Sequence, residues 1–146
     1  MAEWLRRLSP QEWLHAGMHE LVEARDRLAR HAMRPGLASA RRAAGMGWNA
    51  VLSLGDEPSA AFGRTYVDHL RALAEGAVMD AADPHPIPDE VREAARELLA
   101  DPASRPRTEV VQILTPRRDR RLADAAETIL AEAYVRVLRQ TPAPES

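Results

Sequence analysis

Two residues of this chain, Arg64 and His69, have the types and the spacing that could carry out chemistry. A guanidinium group binds phosphate and stabilises charge on it, and an imidazole accepts or donates a proton near neutral pH. Cleavage of an RNA backbone needs both actions at one phosphodiester. The spacing alone carries little weight, because so many arginines give about two Arg-x(4–6)-His pairs by chance. The chain contains two, the second being Arg25 and His31.

The geometry of this pair depends on where its helix begins, and the sequence allows two starts. A helix entered at Phe62 would put Arg64 and His69 about 140° apart, so they could not act on one atom within one chain. Thr65-Tyr-Val-Asp68 also has the pattern of a capping box with Thr65 as the N-cap. Arg64 would then lie in the preceding turn, near helix amides that favour an anion. In the alternative, Arg64 pairs with Asp68 at the surface and His69 is a hydrogen-bonded core residue.

Helical periodicity dominates the rest of the chain. Ser9-Pro-Gln-Glu12 predicts a helix start, and an apolar stripe with Met18 in it follows at helical spacing. Arg34-Pro-Gly36 is expected to end this helix, and a second helix is expected from Leu37 to Leu54. Three more helices are expected, opening near Thr65, at Pro88 and near Asp119. The last is expected to bury an apolar stripe formed by Leu122, Ala126, Ile129, Ala133 and Val137. Gly45 and Gly47 weaken the second helix, so close packing is the expected reason for them.

These elements predict an all-α fold, an antiparallel bundle of four to five helices in one domain over residues 1–140. One extended strand is expected at Glu109–Leu114, within an irregular stretch. Such a strand would lie along the bundle or pair with a second copy. The tail over residues 141–146 is expected to be disordered.

Composition limits the functional classes. The chain has 146 residues, a net charge of −2 and no cysteine or lysine, which excludes disulfide and thiolate chemistry. The N-terminus has no apolar region typical of a signal peptide, and the longest uncharged stretch is too short to span a bilayer. A cytoplasmic location without membrane contact is therefore expected.

Arginines provide two further candidate phosphate-binding groups. The first is a local concentration with few acidic residues, which suits phosphate or RNA. Its members are Arg105, Arg107, Arg117, Arg118, Arg120 and Arg121. Arg25 and Arg41 form the second group, since each interrupts an apolar helical stripe. An arginine at such a position either pairs with a carboxylate or lines a cleft or interface.

A metal site is a weaker candidate. Glu12, His15, His19 and Glu23 lie along one flank of the first long helix, and two histidines four residues apart can chelate a metal. This flank is the polar, outward one, and a bundle site needs ligands from facing helices. We therefore predict no metal and no cofactor.

The chain resembles the HEPN family in several places. Arg64-Thr-Tyr-Val-Asp-His69 would open the third long helix of an Arg- and Ala-rich bundle of this size. The stretches Glu20–Leu28, Ala40–Ala44 and Asn49–Leu52 also look like the first helix pair of such domains. The residue after the arginine is often Asn, Asp or His in that family, and here it is Thr65.

The resemblance implies a homodimer that acts on or binds RNA. Many members of that family are metal-independent endoribonucleases in bacterial toxin, defence or RNA-processing systems, and others are non-catalytic. A cognate antitoxin would then be one partner. His69 would move a proton at the ribose 2′-hydroxyl or the leaving oxygen, and Arg64 would stabilise the charge on phosphorus. The alternative hypothesis is a non-catalytic bundle that serves dimerisation or binds a protein partner, with a structural Arg64/His69 pair.

Overall fold

The computed structural model describes residues 3–5, 7–55, 60–79, 85–100 and 118–140. Within these ranges the chain is helical and contains no strand, which confirms the all-α prediction. The predicted strand, the tail and the predicted phosphate-binding residues Arg105, Arg107 and Arg117 lie outside these ranges. The α-helices are α1 (Pro10–Ala29), α2 (Met33–Leu52), α3 (Tyr66–Ala74), α4 (Asp89–Leu99) and α5 (Arg118–Gln140), with 3-10 helices at Glu3–Leu5 and Ala60–Phe62.

The start of α1 follows the predicted capping box. The Ser9 hydroxyl accepts a hydrogen bond from the Glu12 amide at 3.1 Å, and the Glu12 carboxylate accepts one from the Ser9 amide at 3.0 Å. Both bonds satisfy amides that the first turn of a helix leaves without a partner. The helix start is therefore fixed by four consecutive residues of the sequence.

The predicted break at Arg34-Pro35-Gly36 is wrong. The chain turns earlier, at His31, whose φ of 61° is left-handed although the residue is not glycine. The Ala32 amide donates to the Arg27 carbonyl at 2.9 Å, which closes the end of α1 in a Schellman arrangement. Pro35 lies in the first turn of α2, where a residue without an amide hydrogen is tolerated.

The three long helices α1, α2 and α5 approach one another closely at glycines. A Cβ atom added at Gly17 or Gly47 would lie 2.7 or 2.6 Å from the Leu130 Cδ2 atom. A Cβ atom added at Gly45 would likewise collide with the Tyr66 side chain on α3. The expectation that Gly45 and Gly47 permit close packing is confirmed, and one hydrophobic core joins all five helices.

No helix in the described ranges combines the length and the apolar character that crossing a membrane requires.

Candidate functional site

The helix that carries the Arg64/His69 pair begins at the predicted N-cap. The Thr65 hydroxyl accepts a hydrogen bond from the Asp68 amide at 3.0 Å, and the Asp68 carboxylate accepts one from the Thr65 amide at 3.3 Å. Hydrogen bonds to Thr65, first its side chain and then its backbone, lower the pKa of Asp68. Arg64 is thus exposed in the turn before α3, and the alternative start at Phe62 is excluded.

His69 lies in the interior, with 0% of its surface exposed. Its Nδ1 atom lies 2.6 Å from the Phe62 carbonyl oxygen and its Nε2 atom 2.7 Å from the Asn49 side-chain oxygen. Asn49 is itself buried, at 2% exposed. Both ring nitrogens therefore have partners within the protein, as the hydrogen-bonded core interpretation of His69 requires.

The protonation state of His69 follows from this environment. Burial lowers the pKa of the imidazole below its ordinary value of 6.5, although the Phe62 hydrogen bond and the Asp68 charge act in the opposite direction. The Phe62 carbonyl can only accept, so Nδ1 carries the proton of the neutral ring. Nε2 is then an acceptor, and the Asn49 amide must rotate to present its NH2 group. A protonated ring would instead donate to both oxygens.

The N-terminal 3-10 helix, Glu3–Leu5, lies over the histidine. Trp4 stacks on His69 with ring centres 6.1 Å apart and an interplanar angle of 22°. The Arg64 guanidinium carbon lies 5.7 Å from the centre of the Trp4 ring, within the range of a cation–π contact. Leu5 is fully buried, and its carbonyl accepts a hydrogen bond from the Trp13 indole at 3.0 Å. These contacts hold Trp4 against both members of the candidate pair.

The chemistry that Arg64 and His69 can perform in this arrangement is limited. An imidazole that acts as a general acid or base must come within hydrogen-bonding distance of the substrate. His69 has no exposed surface, and its ring nitrogens lie within hydrogen-bonding distance of Phe62 and Asn49. The catalytic role of Arg64 and His69 stays a prediction from the sequence. Catalysis by this pair requires Arg64 to lie in the turn before α3, which it does. It also requires an accessible His69, and that residue is fully buried.

Arg25 and Arg41 both have partners within the protein. Arg25, which is partly exposed, forms ion pairs with Asp124 at 3.2 Å and Glu127 at 3.0 Å. The Arg41 Nε atom donates to the Leu98 carbonyl at 2.7 Å, at the end of α4. Arg25 thus adopts the carboxylate pairing that the sequence left open, and Arg41 caps a neighbouring helix. Phosphate binding by either residue stays a prediction.

The predicted basic group has three members within the described ranges, Arg118, Arg120 and Arg121, all in the first turn of α5. Arg120 and Arg121 are exposed. Arg121 lines a shallow cleft between α4 and α5 together with acidic residues, which make the potential there less favourable for phosphate. The acidic residues are Glu90, Glu93, Glu97 and Asp124.

His15 and His19 are exposed on the outer flank of α1, as expected from the sequence. Glu12 on the same flank is engaged in the capping box with Ser9. In the ranges that the structure covers, no three histidine, aspartate or glutamate side chains converge as metal ligands would.

Arg136 is a buried arginine that the sequence did not single out. It is 1% exposed on α5, and its Nε donates to the Glu132 carboxylate at 3.0 Å. Its two Nη atoms donate to the carbonyls of His85 and Pro86 at 3.2 and 2.9 Å, and its guanidinium lies 5.6 Å from the Trp48 ring centre. This side chain ties the segment before α4 to the core.

Five large apolar side chains on α1 and α5 are exposed, although the stripe prediction placed Met18 in the core. We call them the seam face, since all five lie on the outer surface of two helices that contact each other. A signal for the exposed set is present in the sequence, because Val22 lies beside the α1 stripe and widens its apolar surface. The members are Met18 (55% exposed), Val22 (67%), Tyr134 (52%), Val135 (40%) and Leu138 (57%).

The ion pairs of Arg25 fix how the two halves of the seam face meet. Arg25 bonds to Glu127 on α5, and Gly17 packs against Leu130, so α1 and α5 are antiparallel. Met18 and Val22 lie seven and three residues before Arg25, on the same helical face. Tyr134 and Leu138 lie seven and eleven residues after Glu127, also on one face. Counted from the Arg25–Glu127 ion pair, the α1 row lies three to seven residues away and the α5 row seven to eleven, so the two rows follow one another along the seam.

Comparison with protein-family models, with curated proteins and with solved structures gives no match to this chain.

Proposed function

We propose that this chain is a non-catalytic helical module that binds another protein through the seam face. The observation that carries the proposal is the seam face itself, five exposed apolar side chains on two adjoining helices. The apolar surface they expose is on the order of 400 Å², which lies in the range where the largest patch of a soluble protein is often functional. An interface of standard size covers about 800 Å² on each partner, with an apolar centre and a polar rim.

The surroundings of the seam face support a protein partner over RNA. Its exposed members are apolar or phenolic, and the ion-paired Arg25, Asp124 and Glu127 at its end include more carboxylates than guanidinium groups. RNA binding gains most of its affinity from cations that contact phosphates. The exposed ring of Tyr134 and the flexible side chain of Met18 are instead typical of protein interfaces.

The buried state of His69 supports the non-catalytic part of the proposal. Its contacts with Phe62, Asn49 and Trp4 are those of a residue that holds α3 to α2 and to the N-terminal segment. An enzyme that used this imidazole would first have to remove Trp4 and break two buried hydrogen bonds. HEPN membership and RNA cleavage remain the competing hypothesis.

Two measurements test the proposal. The purified protein in EDTA is expected to leave single-stranded RNA intact, whereas cleavage that a folded His69→Gln variant lacks would favour the competing hypothesis. A photo-crosslinking amino acid at position 18 is expected to form a protein adduct in the expressing cells, and a Leu138→Ser exchange should remove it. The same probe at the exposed position 78, outside the seam face, is the control. Protein adducts of equal abundance from positions 18 and 78 would contradict the proposal.

A further inference from the structure

We infer that the partner of the seam face is an amphipathic helix of another protein, with apolar side chains followed by a cluster of arginine or lysine. The inference rests on the proposed function, because it names the chemistry of the partner for the same surface. The seam face continues along α5 into the shallow cleft between α4 and α5, which we call the acidic cleft.

Asp124 joins the seam face to the acidic cleft. Its carboxylate pairs with Arg25 on α1 at 3.2 Å, and it also lines the cleft. Thr128 lines the same cleft, and Val135 of the seam face lies seven residues further along the same face of α5. The outer surface of α5 is therefore continuous, with acidic surroundings along its first half and apolar side chains towards its end.

The acidic cleft carries more negative charge than its own chain neutralises. Among the described residues that line it, Arg121 is the only cationic one, and Asp124 already bonds to Arg25. Three glutamates of α4 also line the cleft, and within the described ranges none of them takes part in an ion pair. They are Glu90, Glu93 and Glu97. Arginine or lysine side chains of a partner would meet a complementary potential here, and complementary charge fixes register and orientation in an interface.

The dimensions and the chemistry of this surface suit a helical partner. From Arg121 to Leu138, α5 rises about 25 Å, the length of about 17 residues of α-helix. Gly17 packs against Leu130, which places Met18 between the two ends of this stretch. The described ranges offer no strand with which an extended peptide could pair, whereas a helix satisfies its own backbone groups. Its apolar side chains would pack on the seam face, and its basic ones would reach the glutamates of the cleft.

A charge reversal in the acidic cleft, combined with the crosslinking probe at position 18, tests the chemistry of the partner. Glu93→Arg is expected to lower the yield of the adduct at least about fivefold, since it places like charges opposite each other across the interface. Glu75→Arg is the matched control, because it makes the same exchange at an exposed glutamate outside both surfaces. It should leave the yield unchanged. Both variants are checked for folding by circular dichroism and for equal expression.

Mass spectrometry of the adduct then identifies the captured segment. It is expected to contain apolar residues at helical spacing and at least two arginines or lysines within the next two turns. A synthetic peptide of that segment should bind the purified protein. Exchange of its basic residues for glutamine should weaken binding to the wild type at least about fivefold, but not binding to Glu93→Arg, because the two exchanges remove the same contact.

Three results would overturn the inference. They are equal adduct yields from Glu93→Arg and the wild type, a captured segment without basic residues, and an adduct with the mass of two copies of this chain. Each of them leaves the proposed function standing, because the seam face would still bind a protein. The absence of any adduct at position 18 contradicts both proposals.

Discussion

Exchange of His69 for alanine is expected to destabilise the fold by about 3–5 kcal/mol. The exchange removes the hydrogen bonds to Phe62 and Asn49, and each buried oxygen or amide left without a partner costs about 1–3 kcal/mol. The space vacated beneath Trp4 adds a cavity term, and truncation of a large buried side chain commonly costs about 2–5 kcal/mol in total. This is a large share of the roughly 5–15 kcal/mol that stabilises a typical domain.

Urea unfolding followed by circular dichroism measures the effect. The midpoint should fall while the slope with denaturant stays constant, since the amount of surface exposed on unfolding changes little. The matched control is His15→Ala on α1, which is exposed and should change the free energy of unfolding by about 0.5 kcal/mol or less. In a double-mutant cycle, Asn49→Ala and His69→Ala should be non-additive by about 1–2 kcal/mol, because the two side chains share a hydrogen bond.

A His69→Ala variant as stable as the wild type, or more stable, would refute this reasoning. Residues held in place for catalysis often cost stability, so their removal is neutral or stabilising. Additivity of the Asn49 and His69 exchanges would equally show that the hydrogen bond between them contributes little in solution.

Three shorter predictions test the surroundings of the same core. Because the folded state lowers the pKa of His69 and the unfolded state does not, the stability it contributes is present above pH 6.5 and is lost as pH falls through the folded pKa. Urea titrations from pH 7.5 to 5 should show this loss, and His69→Gln should reduce it. Trp4→Ala should expose the imidazole and raise its pKa toward the ordinary value, as an NMR titration of the ring would show. Arg136→Met should lower the free energy of unfolding by about 3–5 kcal/mol, because it leaves the buried partners of the guanidinium unpaired. The exposed Arg25→Ala exchange should lower it by about 1 kcal/mol or less. Equal losses for the two variants would contradict the argument that burial sets the cost.

The features predicted well from the sequence are those set by neighbouring residues. Both capping boxes, at Ser9 and Thr65, are present because four consecutive residues supply the donors and acceptors. The apolar stripe of α5 is buried because its members recur at helical spacing and face one core. They are Leu122, Ala126, Ile129, Ala133 and Val137.

The features that the sequence did not predict depend on residues far apart in the chain. The partners of His69 come from the N-terminal segment, α2 and the turn before α3, and only the tertiary fold brings Trp4, Asn49 and Phe62 together. The left-handed His31 was missed for a different reason. Pro35 and Gly36 are stronger turn signals than histidine, so the break was predicted four residues too late.

The contrast between Arg25 and Arg136 shows why an arginine count has little predictive value in this chain. Both residues adjoin an apolar stripe, and their spacing to that stripe does not distinguish them. What separates them is the element that packs above each one. The guanidinium of Arg25 extends past the stripe to carboxylates at the surface, as long charged side chains commonly do. Above Arg136, the carbonyls of His85 and Pro86 close over the guanidinium, and Glu132 balances its charge. The role of an arginine in this chain therefore follows from the groups that surround its guanidinium in the fold and not from its spacing in the sequence.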